Sequence, residues 1–145
     1  MDLFYFFFHL ALNLGSTNAQ IAFITTNYYP TAFGATKLRK DFKERAIIRK
    51  LINFNELKIF ESALGQHNMV TILSKGHDSM VNADTCIIKK TGLASPGALY
   101  SILHFNDHET SYFSVPQESL FEGEECYIRL MGSSEITEDP VQKIL

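Results

Sequence analysis

Residues 19–54 read AQIAFITTNYYPTAFGATKLRKDFKERAIIRKLINF, and this stretch decides the fold. Ala19–Thr25 is short and uncharged, which suits a strand covered on both faces as in a parallel sheet. Asn27-Tyr28-Tyr29-Pro30 ends it, because Pro30 has no amide hydrogen to give a ladder. Ala35–Arg45 is an amphipathic helix. Leu38 and Phe42, four apart, mark its buried stripe, while Lys37, Arg39, Lys40, Asp41, Lys43 and Glu44 face out. Ile47–Phe54 is a second strand.

Upstream, Leu3–Leu14 is an apolar run broken only by His9 and Asn13, and Asp2 is placed to cap it as a helix. The run is shorter than the roughly 20 residues needed to cross a bilayer. No Lys or Arg precedes Lys37, unlike a secretory signal, so the helix is expected inside the protein rather than in a membrane. Gly15-Ser16-Thr17-Asn18 breaks the pattern. Downstream, Gly65-Gln66-His67-Asn68 is a turn before a third strand, Met69–Leu73, expected to lie antiparallel to the second. Thr85–Lys89 reads as a further strand and Leu99–Phe105 as a short helix or strand. From His108 to Leu145 the chain is polar and acidic and reads as a linker. Helix, strand, helix, strand, loop, strand is the second half of a doubly wound α/β domain. Its first half is missing, and neither GxGxxG nor GxxxxGK[ST] occurs. The expected organisation is residues 1–76 as that half-domain and residues 77–145 as a sheet-edge extension and linker.

Composition narrows the function. Of 145 residues, 46% are hydrophobic and 20% charged, which excludes a disordered chain. A net charge of −3 excludes a uniformly basic nucleic-acid coat. Cys86 and Cys126 stand alone, which fits a reducing compartment and gives no disulfide framework. His104 and His108 are four apart but lack the HExxH context, so no metal site is expected. There is no GxSxG elbow. Between Lys37 and Lys50 stand seven cations and two acids, either a solvated face or a patch for phosphates through Lys40, Lys43 and Lys50. Phe4-Tyr5-Phe6-Phe7-Phe8 covers every face of its helix, so some ring must project from the core. Phe60 follows a strand, at the edge where open α/β sheets place ligands.

Taken in order, these segments resemble the N6-adenine DNA methyltransferases of type II restriction–modification systems, including large single-chain enzymes that join nuclease, methyltransferase and specificity domains. Asp2-Leu3-Phe4-Tyr5-Phe6-Phe7-Phe8 is similar to the helix after the family's Asn-Pro-Pro-Tyr motif. Ala22–Tyr29 resembles its Phe-Ile-Thr-Pro-Asn strand, with Thr26 in place of Pro. Lys37-Leu38-Arg39 resembles its Leu-Arg helix, Ile59-Phe60-Glu61 its Val-Phe-Glu loop and Asn68–Ile72 its closing strand. Glu125–Leu130 resembles the linker toward a target-recognition domain.

The resemblance implies the C-terminal half of a Rossmann-like domain that transfers a methyl group from S-adenosylmethionine to adenine N6 in double-stranded DNA. It implies that Phe7 walls the cofactor adenine and that Phe60 stacks on the flipped target base. The cofactor loop and Asn-Pro-Pro-Tyr would lie before Met1, so no catalytic residue is assigned in this chain. The expected partners are DNA, an N-terminal catalytic half and a target-recognition domain, in a prokaryotic cytoplasm, with no activity alone. The alternative is a non-catalytic DNA-binding or complementing subunit that uses the basic run 37–50.

Overall fold

The computed structural model describes residues 3–63 and 66–132. The proposed Asp2 cap and residues 133–145 lie outside them. The elements are α1 (Leu3–Leu14), β1 (Gln20–Thr26), α2 (Thr36–Arg45), β2 (Ala46–Asn53), β3 (Leu57–Lys58), β4 (Asn68–Lys75), β5 (Asn82–Ile87) and β6 (Gly92–Leu93). They continue with α3 (Pro96–Leu103), β7 (Ser111–Pro116), α4 (Gln117–Leu120), β8 (Phe121–Glu122) and β9 (Tyr127–Ile128).

Five strands form a mixed sheet in the order β1-β4-β2-β5-β7. β1, β2 and β5 run one way, and β4 and β7 run the other. α1 and α2 cover one face, where Phe8, Leu12, Leu38 and Phe42 pack with Leu51, Met69 and Leu73. Phe8 meets the Phe42 ring edge-on, with centroids 5.0 Å apart. The other face carries Ile52, Cys86 and Ile88, packed with Ile102 of α3. Asp41 ties the two covering helices, since His9 bonds it at 2.6 Å and Arg45 also pairs with it. Burial would raise the Asp41 pKa, but the Arg45 and His9 contacts outweigh burial and hold the carboxyl below its ordinary value.

The sequence reading is right about α1, α2, β2 and β4, and about the antiparallel pairing of β2 with β4. Two expectations fail. β1 is not covered on both faces: it is the edge strand, and Ala22 and Ile24 on its outer face are exposed. Nor is the segment from His108 a linker as far as Gly132. β7 pairs with β5 from Ile87↔Ser111 to Asn82↔Pro116 and closes the far side of the sheet. Val115, Leu120 and Ile128 then enter the main core, which the surrounding acids conceal in the sequence.

Gln117 explains how this late segment locks on. The register of β2 shifts between Ile48 and Lys50, and its pairing with β5 begins only at Lys50. The buried Gln117 side chain fills the gap: it accepts from Ile48 N at 3.1 Å and donates to Ile48 O at 2.8 Å. It does the work of a neighbouring strand at one residue. Gln117→Met keeps the volume but leaves both Ile48 groups without partners, at about 1–3 kcal/mol per group. Urea unfolding should show a lowered midpoint. A midpoint equal to wild type would mean that water replaces the amide.

Candidate functional site

The parallel strands β1, β2 and β5 end at one edge of the sheet, the position where open α/β sheets bind ligands. Asn27 follows β1 and Asn53 ends β2. Asn27 Nδ2 donates to Asn53 Oδ1 at 3.0 Å, and the same oxygen accepts from Asn55 N at 3.0 Å. Asn55 has φ +51°, a left-handed turn that asparagine tolerates, and its side-chain amide donates to Ile88 O at 3.2 Å. Asn27 N also donates to His67 O at 2.9 Å. These asparagines pin both ends of the connection that carries Phe60.

Phe60 is 43% exposed and lines an apolar cavity of about 460 Å³ with Ala22, Ile24, Val70, Leu99 and Leu103. One part of its surface packs and the rest is open. Asn53 lines a second cavity of about 430 Å³, with Ile87, Arg129 and Leu130. Arg129 is fixed there by Glu122, at 2.7 and 3.0 Å.

Of the N-terminal aromatics, Tyr5 and Phe8 are buried, whereas Phe6 and Phe7 project, Phe7 with 45% of its surface open. The structure divides the basic run. Lys37, Lys40 and Lys43 are exposed on α2, and Arg45 pairs with Asp41. Lys50 lies over the Phe105 ring at 5.1 Å, on the sheet face opposite α2, so it shares no surface with Lys40 and Lys43.

Arg39 is the clearest departure from the sequence reading, which turns it outward. It is fully buried. Its guanidinium donates to Tyr29 O at 2.8 Å, Ala32 O at 2.6 Å and Glu125 O at 3.0 Å, and lies 4.9 Å from the centroid of the Tyr127 ring. Burial lowers its pKa, and the neighbouring Tyr127 and Glu125 oppose that shift. Arg39 therefore fastens the connection after β1 to the β8–β9 hairpin. That connection presents Tyr28 and Phe33, both exposed aromatics that pattern reasoning passed over. Their one signal is an uncharged aromatic loop directly after an apolar strand.

Cys86 is no nucleophile, since burial pushes its thiol up to about 12. His104 stacks on Tyr100 at 4.0 Å. Among the described residues, no group of three or more His, Cys, Asp or Glu could hold a metal ion. No described helix is long and apolar enough to cross a membrane.

A scan of family models shows where this geometry recurs. Residues 1–60 match the Eco57I restriction-modification methylase family. The matched part runs from α1 through β2 and stops at Phe60, so the Eco57I likeness covers the α1–α2 face and the asparagine cluster. No curated protein matches the chain. Among solved structures, one similar fold is a modification subunit, assigned to a type I restriction enzyme, from Vibrio vulnificus YJ016. The TM-score is 0.62 at 10% identity, over 95% of this chain and 33% of that one. This chain thus spans about a third of the length of that structure. The likeness shows the fold, a mixed α/β arrangement around a central sheet like that of the modification subunit, and it reaches past the Eco57I match into β5 and β7.

Proposed function

We propose that this chain forms the C-terminal half of the catalytic domain of a restriction–modification DNA methyltransferase, specific for adenine N6. The observation that carries the reading is the half-exposed Phe60, pinned by amides at the C-terminal edge of the strands, where the Eco57I match ends. A base must leave the helical stack before its amino group can react, and an open ring at this edge offers it a face.

S-adenosylmethionine supplies the methyl group in this chemistry. The residues present fit one part of it: the open Phe7 ring can lie against the cofactor adenine. The polar groups that would hold the rest belong to the other half of the domain, together with the Asn-Pro-Pro-Tyr motif. Lys40 and Lys43, with Lys37, sit where they can meet DNA phosphates, and Lys50 reaches solvent from the other face of the sheet. The purely DNA-binding alternative draws less support, because the run 37–50 does not assemble into one surface.

The test is complementation. This chain is mixed with the N-terminal half of an Eco57I-type methylase that ends just after Asn-Pro-Pro-Tyr, and digested DNA is assayed for N6-methyladenine. Methylation is expected only with both halves, S-adenosylmethionine and DNA present. A stable complex of the two halves that leaves adenine unmodified would sink the proposal.

A further inference from the structure

The bare side of β1 shows what it is built to meet. β1 pairs only with β4, and the bonds Asn27 N→His67 O and Lys75 N→Ala19 O set the ladder through the odd-numbered residues. By alternation, the backbone groups of Gln20, Ala22, Ile24 and Thr26 face outward. An edge strand in a soluble protein is ordinarily blunted by charge, proline or a bulge. β1 (QIAFITT) has none of these. Beside that edge lies the apolar groove between β1 and α3, where Ile24 is 53% and Leu103 46% exposed. On the opposite sheet face, α1 turns Leu3 and Leu14 away from both α2 and the core, and both are largely exposed.

Connection handedness says which element belongs at the edge. The β1–α2–β2 crossover puts α2 on one face and advances from β1 toward β2. α1 lies on the same face and leads into β1. Parallel crossovers within a sheet are right-handed in about 98% of cases, so a strand feeding α1 must lie beyond β1, on the side away from β4.

We infer that the β1 edge and the Ile24–Leu103 groove form a docking seam for another α/β unit. That unit adds a strand parallel to β1 and lays an apolar helix in the groove. The surface is that of a hydrophobic core divided along a strand. The unit is the first half of such a domain, supplied upstream in the same polypeptide or by a second one. The seam rests on the proposed function only for the partner's identity.

The experiment mixes the chain with the same N-terminal methylase half and reads association by co-elution and hydrogen exchange, without scoring methylation. A one-to-one complex is expected, with slowed exchange across Gln20–Thr26 and none at β7, the opposite edge. Ile24→Lys and Leu103→Lys should weaken association at least about tenfold, a hot-spot-sized loss. Met80→Lys and Leu93→Lys, exposed apolar sites off the seam, should not. Hydrogen exchange of each free variant confirms that it is folded. No association, protection at β7 instead, or seam variants that bind like wild type would each overturn the inference. A complex built through the seam that fails to methylate counts against the proposed function and leaves the seam standing.

Discussion

Arg39→Ala is expected to cost about 3–5 kcal/mol of folding stability, the range for stripping a buried, hydrogen-bonded charge of its network. Three main-chain carbonyls, of Tyr29, Ala32 and Glu125, lose their donor together. No other described group is bonded to those oxygens in the recorded contacts, and each buried acceptor left unpaired costs about 1–3 kcal/mol. The hole left by the side chain adds to the loss. Arg39→Lys is not a conservative change here. A single ammonium cannot reach Tyr29 and Ala32 on one side and Glu125 on the other, as the flat guanidinium does. It should fall between alanine and wild type. Lys40→Ala, one position along the same helix and exposed, should stay within about 0.5 kcal/mol. Urea unfolding of the three variants is the measurement. An Arg39→Ala protein within 1 kcal/mol of wild type, by this scale, would show that the hairpin does not depend on the clamp.

Arg39 also shows why part of the structure could not be read from the sequence. The periods of Leu38 and Phe42 define the α2 stripe, and Arg39 sits beside Leu38 in a run of cations that all look solvated. What draws it inward is a carbonyl 86 positions away, on a segment whose acids disguise it as a linker. Short elements closed by distant partners leave no periodic trace: Gln117 completes β2 from 69 positions off. The helices α1 and α2 and the strands β2 and β4 were legible because each carries its own apolar pattern. β1 was legible as a strand but not as an edge. Its uncharged composition was right for a fully covered strand, and the structure leaves one side bare. Phe60 was found by position and by resemblance. The asparagines that hold its connection were not, because each amide matters only once β1 and β2 lie side by side.

In the complemented enzyme, Phe60→Ala should reduce turnover and raise the Michaelis constant for DNA, with a combined loss of roughly 5- to 150-fold. That range follows from about 1–3 kcal/mol of base–aromatic stacking, as measured by alanine substitution. Phe60→Tyr and Phe60→Trp should keep most activity, because each ring still presents a π-face to an extruded base. A packing role predicts the reverse order. A fully buried phenylalanine truncated to alanine costs about 3–5 kcal/mol of stability, and tryptophan would overpack the site. The 43% exposure of Phe60 already places it away from that limit, although its contact with the cavity beside Ile24 and Leu103 guarantees some loss. Activity and melting temperature measured on the same three variants separate the two roles. Slow turnover at near-native stability, rescued by tyrosine, marks a ring that meets the substrate. Lost stability with normal activity per folded molecule would make Phe60 a wall of the groove, and the base would have to find its stacking partner elsewhere along the edge, where Tyr28 and Phe33 stand open.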